Sequence, residues 1–211
     1  MRFSFRSIFI LCLILSFFTS VTAGAENDDA WLIVPGIKAG PITANTSEKD
    51  IIKIYGKANV KREEAVDGEG MESEPSSVIY PYNPEKTIKI LWKDTNQMKF
   101  PKALELFGVK SLWKTAEGIS LGTSVKELEK LNGGPFSFWG FGFDAGGAIK
   151  SWDKGKLGNK YSQLLSIIRL SDKNISMVLH KDLIGDRVLS SSNELVQKLN
   201  PNVSQILIDF K

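Results

Sequence analysis

Two kinds of spacing alternate along this chain, and they come in the same order twice. In Thr46-Ser47-Glu48-Lys49-Asp50-Ile51-Ile52-Lys53-Ile54-Tyr55-Gly56 the apolar residues Ile51 and Ile54 stand three apart. In Thr123-Ser124-Val125-Lys126-Glu127-Leu128-Glu129-Lys130-Leu131-Asn132-Gly133 the residues Val125, Leu128 and Leu131 do the same. Such a stripe buries one face of a short helix. Ser47 with Asp50, and Ser124 with Glu127, have the spacing of a capping box, which satisfies free amides at a helix start. Gly56 and Gly133 are suited to ending the two helices, because glycine takes the left-handed conformation cheaply.

Strand patterns follow each helix. After the first come Ala58–Glu64, Ser77–Tyr82 and Lys86–Lys93, with Ile88, Ile90 and Trp92 alternating as in a sheet with one buried face. The acidic, glycine-containing stretch Asp67–Pro75 reads as a loop. After the second helix come Phe136–Phe143, Ala148–Trp152 and Gln163–Leu170, with a tight turn at Gly146-Gly147 and a polar one over Asp153–Lys160. A segment Ile175–Leu179, a helix near Ser192–Leu199 and a strand Val203–Phe210 complete the chain, and Pro201 separates the last two.

The two helical stretches match without gaps over 41–56 and 118–133, a spacing of 77 residues. Ile42 pairs with Ile119, Thr46-Ser47 with Thr123-Ser124, Ile51 with Leu128 and Gly56 with Gly133. Similarity at fixed spacing points to duplicated structural units. The expected fold is therefore α+β. It has two tandem αβββ units, about 36–93 and 113–171, forming antiparallel sheet with helices packed on one face, and an extension over 172–211. Asp94–Lys114, punctuated by Pro101 and Gly108, reads as the join between the units.

A Thr-Ser pair, a capped helix, a glycine stop and a three-stranded meander resemble two groups of proteins. One is the SmpA/OmlA-type outer-membrane assembly lipoproteins, and the other is the tandem-repeat β-lactamase-inhibitor proteins. Gly118–Trp152, with Asn132-Gly133-Gly134-Pro135-Phe136 and Gly140-Phe141-Gly142-Phe143-Asp144, also resembles a set of exported bacterial proteins with no assigned activity. The first two resemblances imply a helix layer on a sheet and a partner-binding, non-catalytic role. The chain lacks the lipoprotein cysteine of one group and the paired cysteines of the other.

The start of the chain adds a compartment. Arg2 and Arg6 precede an apolar run from Ile8 to Phe18, and small residues at Val21 and Ala23 suit cleavage before Gly24. This is the three-part pattern of a secretory signal peptide over 1–23, and the run is too short for the roughly 20 residues of a membrane span. Cys12, the one cysteine, lies in mid-run after Leu11 and so does not suit lipidation. The expected product is a single domain over 24–211, exported to the periplasm or secreted, not a lipoprotein, with no membrane span and no disulfide. The leader holds two of the 27 basic residues and none of the 24 acidic ones, so the remainder is close to neutral. That gives no electrostatic case for binding nucleic acid. The Lys/Ile-rich composition favours a bacterial source.

Chemistry is sparse. His180 is the one histidine, which defeats the usual zinc sets. There is no Gly-x-Ser-x-Gly elbow around which a serine triad would form, and no phosphate loop. The acids of 63–74 do not follow a calcium-loop pattern. No catalytic residue, metal ligand or cofactor is assigned. The unusual segment is aromatic: Phe136, Phe138, Trp139, Phe141 and Phe143, with Gly140 and Gly142 between. Read as a strand, it carries aromatics on both faces, which suits either a two-sided core strand or a face that binds a partner, and its glycines admit close approach of a ligand or a second backbone. Trp139, Phe141, Phe143, Asp144 and Trp152 are the candidate binding residues, forming an aromatic sheet face for an envelope protein, peptide or glycan. Asp144 also suits the closing of a turn. The alternatives are an envelope hydrolase using carboxylates such as Asp144 and Asp153, or a purely structural envelope component.

Overall fold

The computed structural model describes residues 28–64, 74–161 and 167–210. The expected signal peptide, most of the acidic loop and the start of the Gln163–Leu170 strand lie outside the described residues.

The chain is α+β, with thirteen strands among the described residues. A small sheet forms first, from β1 (Leu32–Val34), β2 (Lys38–Ala39) and β3 (Ile42–Thr43). Helix α1 (Glu48–Tyr55) follows, then β4 (Val60–Glu64), β5 (Pro75–Ile79), β6 (Ile88–Asp94) and β7 (Lys99–Phe107). β8 (Lys114–Thr115) returns to the small sheet, where it runs parallel to β1. Helix α2 (Val125–Asn132) leads to β9 (Ser137–Trp139), β10 (Ile149–Ser151), the single turn α3 (Gly158–Tyr161) and β11 (Ile167–Leu170). β12 (Val188–Ser190), α4 (Glu194–Leu199) and β13 (Val203–Asp209) complete the order. The main sheet is antiparallel, in the order β11-β13-β7-β6-β5-β4. A bridge between Ala148 and Arg169 sets the smaller sheet β10-β9-β12 beside its β11 edge.

Both helices form with the predicted capping boxes, but the α1 stripe is only half met, since Ile51 is buried and Ile54 is 49 % exposed. Only Gly133 takes the left-handed conformation, Gly56 ending α1 at φ +84° with an extended ψ. In each helix, the serine side chain accepts from the third amide and the acid at that position accepts from the serine amide. Ser47 N–H donates to Asp50 at 3.0 Å, and Ser124 N–H to Glu127 at 2.7 Å. One turn earlier, Thr43 N–H donates to Thr46 Oγ1 at 2.9 Å and Ser120 N–H to Thr123 Oγ1 at 3.0 Å. Each Thr-Ser pair is also clipped to the start of a central strand. Glu48 N–H donates to the Met98 carbonyl and Phe100 N–H to that of Thr46. In the same way Val125 N–H donates to the Pro201 carbonyl and Val203 N–H to that of Thr123. The local geometry of the two stretches thus recurs, and the strands they dock on, β7 and β13, are neighbours.

The strands do not divide as the sequence suggests. Asp94–Lys114 is not a join, because it contains β7, which lies between β6 and β13 inside the main sheet. Pro101 is accommodated where the β6–β7 register shifts, opposite Trp92, a position where the missing amide breaks no regular ladder. Four strands, not three, therefore separate α1 from β8. The segment Ile175–Leu179 forms turns, and Met177, Val178 and Leu179 are exposed. The core joins Ile51 of α1, Val125 and Leu128 of α2 and Val196 of α4 to the inward residues of the sheet, among them Ile90, Trp92, Leu104, Leu106, Ile168 and Ile206.

Candidate functional site

β9 pairs on both sides, with Phe138 opposite Leu189 of β12 and Ile149 of β10. The strand ends after Trp139, so the alternation expected over eight residues holds for three. Phe136 and Phe138 are fully buried, and Phe141, past the strand, turns into the same core at 1 % exposure. Trp152 is 5 % exposed and packs its ring 5.3 Å from that of Phe136. The Phe138 and Phe141 rings lie 5.7 Å apart. Phe141 and Trp152 are therefore core residues and not part of a ligand-facing platform. Trp139 stands on the opposite face, half-buried, with the Lys150 ammonium 4.6 Å from its ring centroid.

Gly140 has its explanation in a second backbone. A Cβ there would stand 2.6 Å from the Gly185 carbonyl oxygen and 3.0 Å from that of Leu183. Three backbone hydrogen bonds tie the pair together: Gly140 N–H to Arg187 O, Phe141 N–H to Leu183 O and Gly185 N–H to Phe141 O. Gly142, at φ +87°, leaves room for the Met177 side chain. The connection from β11 to β12 thus clamps the aromatic loop.

What remains outward is Phe143, half-buried, and Asp144, exposed. They line a depression of about 340 Å³ with Arg169, Asp172 and Ser204. Arg169 is held in place from three directions. Its Nε donates to Gln205 Oε1 at 2.9 Å, and one terminal nitrogen donates to the carbonyls of Asp144 and Gly146 at 2.7 and 2.8 Å. Gln205 in turn donates to Glu105 at 2.8 Å, and Glu105 stands opposite Lys89 on β6. A polar row therefore crosses the outer face of the main sheet and ends at the Gly140–Gly147 loop. Among the described residues no carboxylate lies within 4 Å of the Arg169 nitrogens, so carbonyl oxygens hold its charge. Sequence reading named Phe143 and Asp144 but missed Arg169 and Asp172. These come from a strand and a connection that only the tertiary fold brings to the loop.

No family model matches the chain, and no curated protein and no solved structure matches it significantly.

The other titratable candidates are engaged elsewhere. His180 Nδ1 accepts from Ser176 N–H at 2.8 Å. Asp153 accepts from the Ser137 hydroxyl at 3.1 Å. Glu48, with a side chain 6 % exposed, receives Arg62 Nε at 2.8 Å and the Ser77 hydroxyl at 2.9 Å, and Trp92 Nε1 donates on to Ser77. The Arg62 hydrogen bonds hold the Glu48 carboxyl below its ordinary range, against the opposing effect of burial. The serine caps do the same for Asp50 and Glu127. Burial pushes the Tyr55 phenol upward. Among the described residues no group of three or more His, Asp or Glu side chains is placed to hold a metal ion. Nor is any helix there long and apolar enough to cross a membrane.

Proposed function

We propose that this is an exported, non-catalytic binding protein of the bacterial cell envelope, which takes a polypeptide partner at the Phe143–Asp144–Arg169 depression. One observation carries the reading: the depression is rigidly built. Arg169 is fixed by Gln205 and two loop carbonyls, and the loop itself is clamped by the 183–187 backbone. A pre-formed concavity whose polar groups are already fixed loses little freedom on binding, which favours recognition there. Asp144 and Asp172 at its rim suit a basic side chain, Phe143 suits an apolar one, and Arg169 suits a backbone carbonyl or carboxylate. A peptide offers all three together. The resemblance of the capped helices to those of partner-binding envelope proteins points the same way. Arg2, Arg6, the apolar run and Ala23 support export.

The test is a photo-crosslinking residue at Phe143 in cells, with one at exposed Lys198 as control. A discrete polypeptide adduct from position 143 alone, lost in an Asp144→Asn/Asp172→Asn background of unchanged thermal stability, is the expected result. Equal adducts from both positions, or none, contradict the proposal.

A further inference from the structure

On the far side of the main sheet, the turn after β5 builds a second concavity, independent of the first. It has a volume of about 280 Å³ and is lined by Asn59, Tyr80, Tyr82, Asn83 and Lys86. Tyr80 takes φ +52°, a left-handed conformation unfavourable for a large side chain. It is held there by its amide donating to Asn59 O at 2.7 Å and its carbonyl accepting from Asn83 N–H at 3.0 Å. Such strain persists only where the surroundings enforce it, and it is common at ligand sites.

The reversal sends successive aromatics in opposite directions. The Tyr80 ring turns inward, 6.2 Å from Trp31 and edge-on to Tyr55 at 5.7 Å. Tyr82, two residues on and after the rigid Pro81, is 86 % exposed. The Lys86 ammonium lies 5.2 Å from the Trp31 ring centroid and 5.9 Å from that of Tyr80, closing the inner wall. The flanking amides are half used. Asn59 Nδ2 donates to Tyr55 O and Asn83 Oδ1 accepts from Glu85 N–H. Among the described residues, Asn59 Oδ1 and Asn83 Nδ2 take no hydrogen bond.

From this we infer that the Tyr80–Asn83 turn is a saccharide-binding site, with a sugar ring stacked on Tyr82 and its hydroxyls bonded to Asn59 and Asn83. A bare aromatic face beside one amide acceptor and one amide donor fits a ring that is apolar on its C–H face and polar at its rim. An ammonium ligand fits less well, because Lys86 already places a cation against the inner rings.

The probes are cellotetraose and the tetramer of N-acetylglucosamine, titrated into ¹⁵N-labelled protein, with choline as a third arm. The expected result is saturable shifts at Asn59, Tyr80, Tyr82 and Asn83 with at least one oligosaccharide. Tyr82→Ala, at an exposed position that leaves the fold intact, weakens binding at least about tenfold. Asn83→Asp, which keeps the turn acceptor and loses the donor, weakens it about threefold or more. Three results would each overturn the inference: silence with both sugars, shifts confined to the Phe143 depression, or shifts from choline alone. Wild-type affinity in Tyr82→Ala would do the same. The Phe143 crosslinking result is unaffected by any of these outcomes.

Discussion

At Gly140 and Gly134 the same substitution has opposite consequences. A methyl at Gly140 meets two carbonyl oxygens of the clamping segment, at 2.6 and 3.0 Å, whereas nothing lies within 4 Å of a Cβ at Gly134. Gly140→Ala is expected to cost about 1–3 kcal/mol, by overpacking against backbone that cannot rotate away. Gly134→Ala is expected to be neutral or to stabilise by up to about 1 kcal/mol. Urea unfolding of the pair measures the difference, and equal midpoints would mean that the clamp is not there. Glu48 makes stability depend on pH. Its carboxyl is held below the ordinary value of 4.5 in the folded protein, so on acidification the unfolded chain takes up its proton first. The stabilisation is complete above the unfolded value and is lost as pH falls through the folded one. Glu48→Gln should therefore flatten the acid limb of a stability-versus-pH curve, leaving the smaller share due to Asp50 and Glu127. Arg62 is 63 % exposed, so water screens the pair and the change is modest. An acid limb identical in both proteins would remove Glu48 from the account.

At the scale of elements, the sequence is most readable where the forces are local. Capping boxes and glycine stops act within one or two turns, and α1 and α2 start and end where those signals predict. The α1 stripe, in contrast, fails at exposed Ile54, because which face is buried is set by tertiary packing. Ser47→Ala and Ser124→Ala should each cost about 1 kcal/mol. Each adjoins a helix start tied to β7 or β13, so the loss should appear in global thermal unfolding and not as local fraying. A cost below about 0.3 kcal/mol at both positions would show the serine caps to be idle. β7 was not readable, because Pro101 interrupts it and Phe100, Ala103, Leu104 and Phe107 have the spacing of a helical stripe, which competes with the strand alternation of Leu104 and Leu106. Its identity as a strand comes from the partners on either side, β6 and β13. The Phe136–Phe143 run misled for a related reason. Strict alternation assumes a continuous strand, and the chain leaves the sheet at Gly140 to meet a backbone 43–47 residues further on.

For the whole molecule, the candidate site was half legible. Phe143 and Asp144 stand in the depression, Trp139 lies under Lys150, and Phe141 and Trp152 are core. Arg169 and Asp172 carry no local signal, since a cation held by carbonyls looks in sequence like any surface arginine. We propose that these groups, gathered by β11, the β11–β12 connection and the aromatic loop, form one recognition surface. Isothermal titration of the peptide captured at position 143 tests it most directly, with wild type set against Asp144→Asn/Asp172→Asn. The variant is expected to bind at least about tenfold more weakly, and added salt to weaken the wild type more than the variant. Equal affinity and equal salt dependence in the two proteins would contradict it.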